Sequence, residues 1–520
     1  MTMTTAPRPA GCAIKLAVVG AGFGGLALAI RLQSAGVATT LLEARDKPGG
    51  RAYVWQDQGF TFDAGPTVIT DPDCLEQLFQ LSGRKLADYV TLLPVSPFYR
   101  LCWEDGDVFD YVNDQAELDR QIAARNPADV EGYRRFLQFS EAVYAEGYRR
   151  LGHVPFLKIG DMLAAAPQLV GLQAWRSVYD RVSGFVQDDH LRQALSFHTL
   201  LVGGSPFAAS SIYALIHALE RDGGVWFAKG GTHALVRGLA KLFEDLGGRL
   251  ITSDAVRRIV TAGGRVTGIE HADGTFEAFD AVASNADIVH TYGTLLASDP
   301  RGQAVAKSLK RRRFSPSLFV TYFGLKSQHP ELSHHTICFG PRYRGLISEI
   351  YNKDGLADDF SLYLHAPCAT DPDMAPAGCS TYYVLSPVPH LGTADIDWDV
   401  EGPRYRDRIL DYLEARYIPN LRADLVTSRL FTPKDFEREL NAWQGSAFSL
   451  EPVLTQSAWF RTHNRDDVID NLYFVGAGAH PGAGVPGVVG SAKATAGLIM
   501  DDLARLQPIR PEIPRLSGLP

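Results

Sequence analysis

This sequence predicts an α/β chain built on a parallel sheet, with a mixed α+β domain inserted into it, and three features carry that prediction. The first is the apolar strand Lys15–Val19 running into Gly20, Gly22 and Gly25, a turn of GxGxxG spacing. The second is a bare glycine-rich run near the other end, Gly476 to Gly487, again set between a strand and a helix. The third is the change of texture between them, helical from about 71 to 215 and mixed strand and helix from 300 to 455.

The glycine spacing has a physical reading. Gly20 permits a tight turn, Gly22 lets the backbone approach a pyrophosphate, and Gly25 lets the next helix pack close to the sheet. That helix, from Phe23 to about Ala35, points its amide dipoles at the phosphate. A second strand, Ala38–Leu42, ends in Glu43, at the interval of about 20 residues where a carboxylate accepts ribose hydroxyls. Strand, turn, helix, strand and acid in this order make a Rossmann-type unit, but do not separate NAD from FAD. Pro48-Gly49-Gly50-Arg51 and Phe62-Asp63-Ala64-Gly65-Pro66-Thr67 add backbone donors and a cation beside the ribose acid. A longer cofactor needs these, so the flavin reading is preferred. In the terminal run, backbone without side chains admits a flat ring, and the helix start favours negative charge.

At 520 residues the chain exceeds one compact core, so two or three domains are expected. Apolar content of 46% and charged content of 21% are ordinary for a globular enzyme, and a net charge of −8 argues against nucleic acid. Cys12, Cys74, Cys102, Cys338, Cys368 and Cys379 form no CxxC pair and read as reduced thiols of a cytosolic compartment. Leu16–Ile30 imitates a signal peptide, but its glycines place it in a βαβ unit, and no other run is apolar enough to span a bilayer.

Further along, a helix is expected over His233–Leu246, then a meander of Ala255–Thr261, Arg265–His271 and Ala281–Ser284 about glycine turns. Strands at Ser317–Leu325, Ser361–His365 and Thr381–Leu385, a helix at Pro403–Tyr417, a strand at Leu472–Val475 and a helix from about Val488 to Leu503 follow. The nucleotide domain is therefore expected from residues 14–95, 216–295 and 456–505. The substrate domain takes 96–215 and 296–455, and 506–520 is a loose tail.

With the terminal run in view, the chain resembles the lycopene-forming bacterial phytoene desaturases, of the carotenoid-oxidoreductase type. GAGFGGLALAIRLQSAG, EARDKPGGRAYV, FTFDAGPTVITDP, HLRQALSFHTLLVGG, FSLYLHAPC and GAGAHPGAGVPGVVGSAKATAGL carry the likeness across residues 14–503. Ala479 departs from it, standing where threonine is commoner. The resemblance implies the fold of the flavin amine oxidase and GDI-like superfamily, with FAD held by Gly20, Gly22, Gly25, Glu43, Gly50 and Arg51. It puts the Val256 backbone at the adenine, and Gly478 with the run containing Gly484, Val485 and Pro486 at the flavin ring. It implies four desaturations of phytoene, through phytofluene, ζ-carotene and neurosporene, by hydride transfer to flavin N5 and proton loss. Asp161 is the candidate acid/base by resemblance, while its place before Met-Leu-Ala-Ala-Ala reads equally as a helix cap.

Removing a hydride from a hydrocarbon requires a cofactor, because no side chain accepts one. A long apolar substrate also requires a tunnel, for which Phe185, Phe197, Phe207, Tyr213, Trp226, Phe227, Tyr322, Phe323, Tyr382 and Tyr383 are candidates, about a third of them expected to line it. Phytoene resides in lipid, so the enzyme is expected as a peripheral protein on the cytoplasmic side of the cell membrane, passing electrons to quinone or oxygen. Val154–Trp175, apolar and interrupted by Pro167, reads as its interfacial entrance or as a core helix pair. Lys307, Lys310 and Arg311–Arg313 read as a headgroup contact or a solvated helix end. His198, His365 and His390 have no ligand spacing, so no metal is expected. A desaturase of different step number or chain length, a flavin amine oxidase, and a flavin-less prenyl-lipid carrier are the other readings.

Overall fold

The computed structural model describes residues 14–352 and 355–506; Cys12 and the expected loose tail from 507 onward lie outside the described residues. Its first sheet has five parallel strands, β1 (Lys15–Val19), β2 (Ala38–Leu42), β3 (Arg249–Ile251), β4 (Ala281–Ser284) and β5 (Leu472–Phe474), in the order β5-β4-β1-β2-β3. β1 shows why the sequence settles there. Leu16 and Val18 point into one core and Ala17 and Val19 into another, so both faces are covered and the strand is apolar without alternation.

The first of these cores is closed by helices α1 (Phe23–Ser34), α2 (Thr232–Asp245) and α3 (Val485–Leu506). The second is closed by the antiparallel strands Arg258–Ala262, Arg265–Glu270 and Phe276–Ala278, together with Tyr292, Leu295 and the helix Pro300–Leu309. Asn464 joins β5 to α3: its buried Nδ2 lies 3.0 Å from the His480 carbonyl, 3.1 Å from Ser491 Oγ and 3.1 Å from Thr495 Oγ1.

A second sheet of seven strands stands beside the first, in the order Leu425–Phe431, Ser317–Leu325, Ser380–Val388, Leu362–His365, His335–Cys338, Tyr99–Cys102, Val108–Tyr111. Its strands alternate. Tyr322 and Tyr383 face the helices of the 115–223 region, whereas Phe323 and Tyr382 face the helix Trp398–Arg416.

Three features depart from the sequence reading. Leu92–Pro94, Tyr99–Cys102 and Val108–Tyr111 are strands inside a region expected to be helical. Runs this short show no period, and Tyr99–Cys102 is fixed by a parallel partner, His335–Cys338, distant in the chain. β3, likewise only three residues long, escaped the sequence reading. Pro167 does not break its segment either: one helix, Ile159–Gly171, runs through it with only Ala165 buried.

Asn464→Ala removes the donor that these three acceptors share, two of them hydroxyls with other partners. Stability in urea unfolding is expected to fall by about 2 kcal/mol.

Candidate functional site

The carboxyl ends of the parallel strands converge on one cavity of about 630 Å³. Gly20 follows β1, Glu43 follows β2, Asn285 follows β4 and the terminal glycine run follows β5, which is where open α/β sheets bind ligands. Gly20, Gly22, Glu43, Gly50, Arg51, Val256, Gly484, Val485 and Pro486 all line it. Residues far apart in sequence are thus brought to one wall.

Gly25 and Gly478 do not line it, and their reasons are steric. A Cβ on Gly25 would lie 2.0 Å from the Gly20 carbonyl oxygen, so α1 starts against the turn only if residue 25 has no side chain. A Cβ on Gly478 would lie 2.3 Å from Ile288 Cγ2. Ala479 also points away from the cavity, into the core around Phe474 and Ile288, so a hydroxyl there would face apolar packing rather than a ring.

The polar part of the cavity suits an anionic, hydroxyl-bearing ligand. The N-cap of α1 is Gly22, which offers no side-chain acceptor, and no acid lies in the first turn, so these amides are left for a ligand. The Glu43 carboxylate accepts the Ala21 N–H at 2.8 Å and the Arg45 N–H at 3.0 Å, and burial raises it above the usual carboxylate range. Arg51 is half-buried, with Nε unpartnered and Nη2 donating to the Ser446 carbonyl at 3.5 Å; burial of the guanidinium lowers its pKa, which the neighbouring Asp287 opposes. A cation with an unpartnered N–H beside a glycine turn fits phosphate chemistry. These residues therefore fit a dinucleotide.

Beyond this wall the cavity becomes apolar. Phe197, Tyr213, Tyr322 and Tyr383 of the aromatic candidates line it, whereas Phe323 and Tyr382 are in the core beneath the sheet. Phe185, Phe207, Trp226 and Phe227 pack elsewhere. Asp161 does not line the cavity: its Oδ2 accepts the Lys158 N–H at 3.0 Å, making it the third residue of a capped helix rather than the cap itself. Its neighbour Met162 does line it.

Sequence reasoning missed Arg461, Thr67, Tyr363 and His480. Buried Arg461 donates to the carbonyls of Ala477 at 2.6 Å and Ala479 at 3.1 Å, holding the glycine run in place. Thr67 Oγ1 meets the hydroxyls of Tyr363 at 2.9 Å and Tyr383 at 2.7 Å. Thr67, Tyr363 and His480 carried a signal, from their places in Phe62–Thr67, in FSLYLHAPC and in the terminal glycine run, whereas Arg461 carried none. His480 lines the cavity with neither ring nitrogen hydrogen-bonded, and burial lowers its pKa to about 4.

Comparison with known proteins agrees with this geometry. Residues 23–500 match the family model for flavin containing amine oxidoreductases. The chain belongs to that family. It is accordingly a flavoprotein oxidoreductase. The chain is 65% identical over 486 residues, 94% of its length and 99% of the relative's, to a phytoene desaturase (lycopene-forming) of Pantoea ananas. It is 42% identical over 489 residues, covering 93% of each chain, to the neurosporene-forming enzyme of Rhodobacter capsulatus. Among solved structures, cyclohexylamine oxidase of Brevibacterium oxydans matches with a TM-score of 0.62 at 17% identity, covering 95% of this chain and all of that one. Putrescine oxidase matches with a TM-score of 0.62 at 14% identity over 94% of this chain and 99% of that one. At such identities these structures speak for the fold alone.

His480 sets a pH dependence. Its folded-state pKa of about 4 lies below the ordinary 6.5, so below pH 6.5 the unfolded chain takes up a proton that the folded one refuses. Its contribution is present above pH 6.5 and is lost as pH falls towards 4. Between pH 7 and 4 the wild type is expected to lose roughly 3 kcal/mol more stability than His480→Gln, read from urea unfolding across pH.

Proposed function

We propose that this flavoprotein is an FAD-dependent phytoene desaturase, introducing four double bonds by way of phytofluene, ζ-carotene and neurosporene to give lycopene. The supporting observation is one continuous cavity, polar at the sheet ends and apolar beyond, in a chain 65% identical over 94% of its length to a lycopene-forming enzyme. A C40 hydrocarbon offers no polar handle, so only shape and apolar contact can place it. When bound, FAD supplies the hydride acceptor. The chain's own residues then have three tasks.

Gly20, Gly22, Glu43, Gly50, Arg51 and Val256 hold the nucleotide part, and Gly484, Val485 and Pro486 the ring, with Gly25 and Gly478 shaping the backbone behind them. Phe197, Tyr213, Tyr322 and Tyr383 flank the reacting chain and exclude water. Asp161, one residue from Met162 but outside the cavity lining, is the candidate proton acceptor by resemblance alone.

The entrance is the helix Ile159–Gly171. Met162 and Leu169 line the cavity from it, while Ile159, Leu163 and Val170 are 48%, 66% and 58% exposed and Trp175 beyond its end is 60% exposed. An apolar outer face backed by the substrate cavity suits a lipid surface. The helix packs against 458–460, and Arg312 donates to the Phe460 carbonyl at 2.7 Å, so the basic group Lys307 and Lys310–Arg313 borders the same face. Anionic headgroups fit there. Among the described residues no helix is long and apolar enough to cross a membrane. We place the enzyme peripherally on the cytoplasmic side of the cell membrane, with quinone or oxygen taking the electrons.

Purified protein with FAD and phytoene-loaded liposomes, without nicotinamide, is expected to form lycopene through the three intermediates, followed by chromatography. Arrest at an intermediate would change the product assigned. Bound, reducible flavin without turnover of any carotenoid would sink the reading and direct attention to amines. Asp161→Asn is expected to slow desaturation about tenfold or more with an unchanged circular dichroism spectrum. Parental turnover would leave Asp161 as a helix-capping residue only.

A further inference from the structure

On the cavity-facing side of the seven-stranded sheet, three histidines that have no ligand spacing in the sequence are brought together. His335 and His365 stand directly opposite each other on the antiparallel strands His335–Cys338 and Leu362–His365, and His334 precedes the first. One ring nitrogen from each lies within 4.8 Å of the others. All three residues are buried, His334 at 4%, His335 at 0% and His365 at 1% exposure.

The hydrogen bonds sort their nitrogens. His334 Nδ1 lies 2.6 Å from Thr370 Oγ1 and His335 Nδ1 lies 2.7 Å from the Tyr363 hydroxyl. His334 Nε2, His335 Nε2 and both nitrogens of His365 have no partner. Asp63 Oδ2, also buried and without a hydrogen bond, lies 3.8 Å from His365 Nε2, while Asp63 Oδ1 accepts the Thr232 N–H at 2.8 Å. Buried polar atoms left unpaired cost about 1–3 kcal/mol each, and here several converge on one point. Metal-ligating imidazoles show the same arrangement: one nitrogen oriented by a hydroxyl, carbonyl or carboxylate, the other directed at the ion. Burial also holds the three rings below the usual imidazole range, leaving them neutral with a free lone pair.

We propose that His334, His335 and His365 bind one divalent transition-metal ion of the zinc class, with the Asp63 carboxylate beside His365 rather than within the ligand group. Three imidazoles are a donor set that zinc-class ions take, and the Asp63 carboxylate near His365 offsets part of the buried charge. Ligand atoms around one zinc at about 2.0–2.1 Å sit roughly 3.4 Å apart, so binding draws each imidazole inward by under about 1 Å. Asp63 and Ala64 line the main cavity, whereas the three histidines lie behind that wall. The ion would thus pin the Phe62–Thr67 segment to the second sheet without meeting the substrate. The site is structural, distinct from the flavin wall.

The test uses the full chain, grown with zinc supplementation and purified without metal-affinity resin, with bound metals measured by plasma mass spectrometry. About one equivalent of zinc per chain is expected in the wild type and in His390→Ala, with about a tenth or less in His335→Ala and His365→Ala. Wild type with about a tenth of an equivalent or less, or metal retained in both cluster variants, would overturn the proposal. Should the variants fail to fold, X-ray absorption at the zinc edge of the wild type decides. A nitrogen and oxygen shell at about 2.0–2.1 Å supports the site, and a sulfur shell at about 2.3 Å, or no zinc, overturns it.

Discussion

The contact between residue 25 and the carbonyl of Gly20 governs the geometry of this molecule. Because no Cβ stands there, α1 begins immediately at the carboxyl edge of the parallel sheet. Its uncapped amides then open onto the cavity, and Glu43, at the end of the next strand, reaches back to the Ala21 N–H at 2.8 Å. Asn285, after β4, secures the same turn by donating from Nδ2 to the Gly20 carbonyl at 3.2 Å. Three strand ends are tied together at one point, and a side chain on residue 25 would push them apart. The nucleotide wall is therefore a backbone structure, with side chains used to brace it.

Burial does the rest of the electrostatic work. Glu43, Arg51, Asp287 and His480 line the cavity, and for each burial is the largest influence, disfavouring the charged form. A site so dry strengthens every dipole aimed at a ligand, and it keeps water from a reacting hydrocarbon. The same dryness accounts for the support found behind the wall, where Arg461 and Asn464 satisfy the carbonyls of Ala477, Ala479 and His480 in the glycine-rich run.

The apolar half of the cavity is made differently. Strands of the second sheet alternate their tyrosines between the cavity and the core, so Tyr322 and Tyr383 face the substrate region while Phe323 and Tyr382 fill the layer beneath. One short helix then joins that region to the outside, with apolar residues on both its inner and outer faces. An exposed apolar outer face of this kind marks a surface suited to contact with something apolar.

Much of this was legible in the chain itself. The βαβ unit, Glu43, Arg51 and the terminal glycine run announce their chemistry locally, because a phosphate-binding turn depends on backbone conformation and on residues close in sequence. β1 and β2 matched expectation for the same reason, as short runs bounded by turns are local signals. Ala281–Ser284 is a strand as expected, but it pairs parallel with β1 and β5 instead of closing the meander, a place that Phe276–Ala278 takes. The strands at 99–111 and β3 were not legible, since short strands are defined by distant partners. Nor was Arg461, whose carbonyl acceptors lie in another segment, nor the choice among ten aromatics, which depends on which face of a sheet each one takes. The histidine cluster is the clearest case. The sequence by itself determined a dinucleotide fold with a flavin-type wall, because glycine spacing encodes backbone geometry. Only the tertiary structure decided that His334, His335 and His365 meet, because strand register, which no local pattern specifies, sets His335 across from His365.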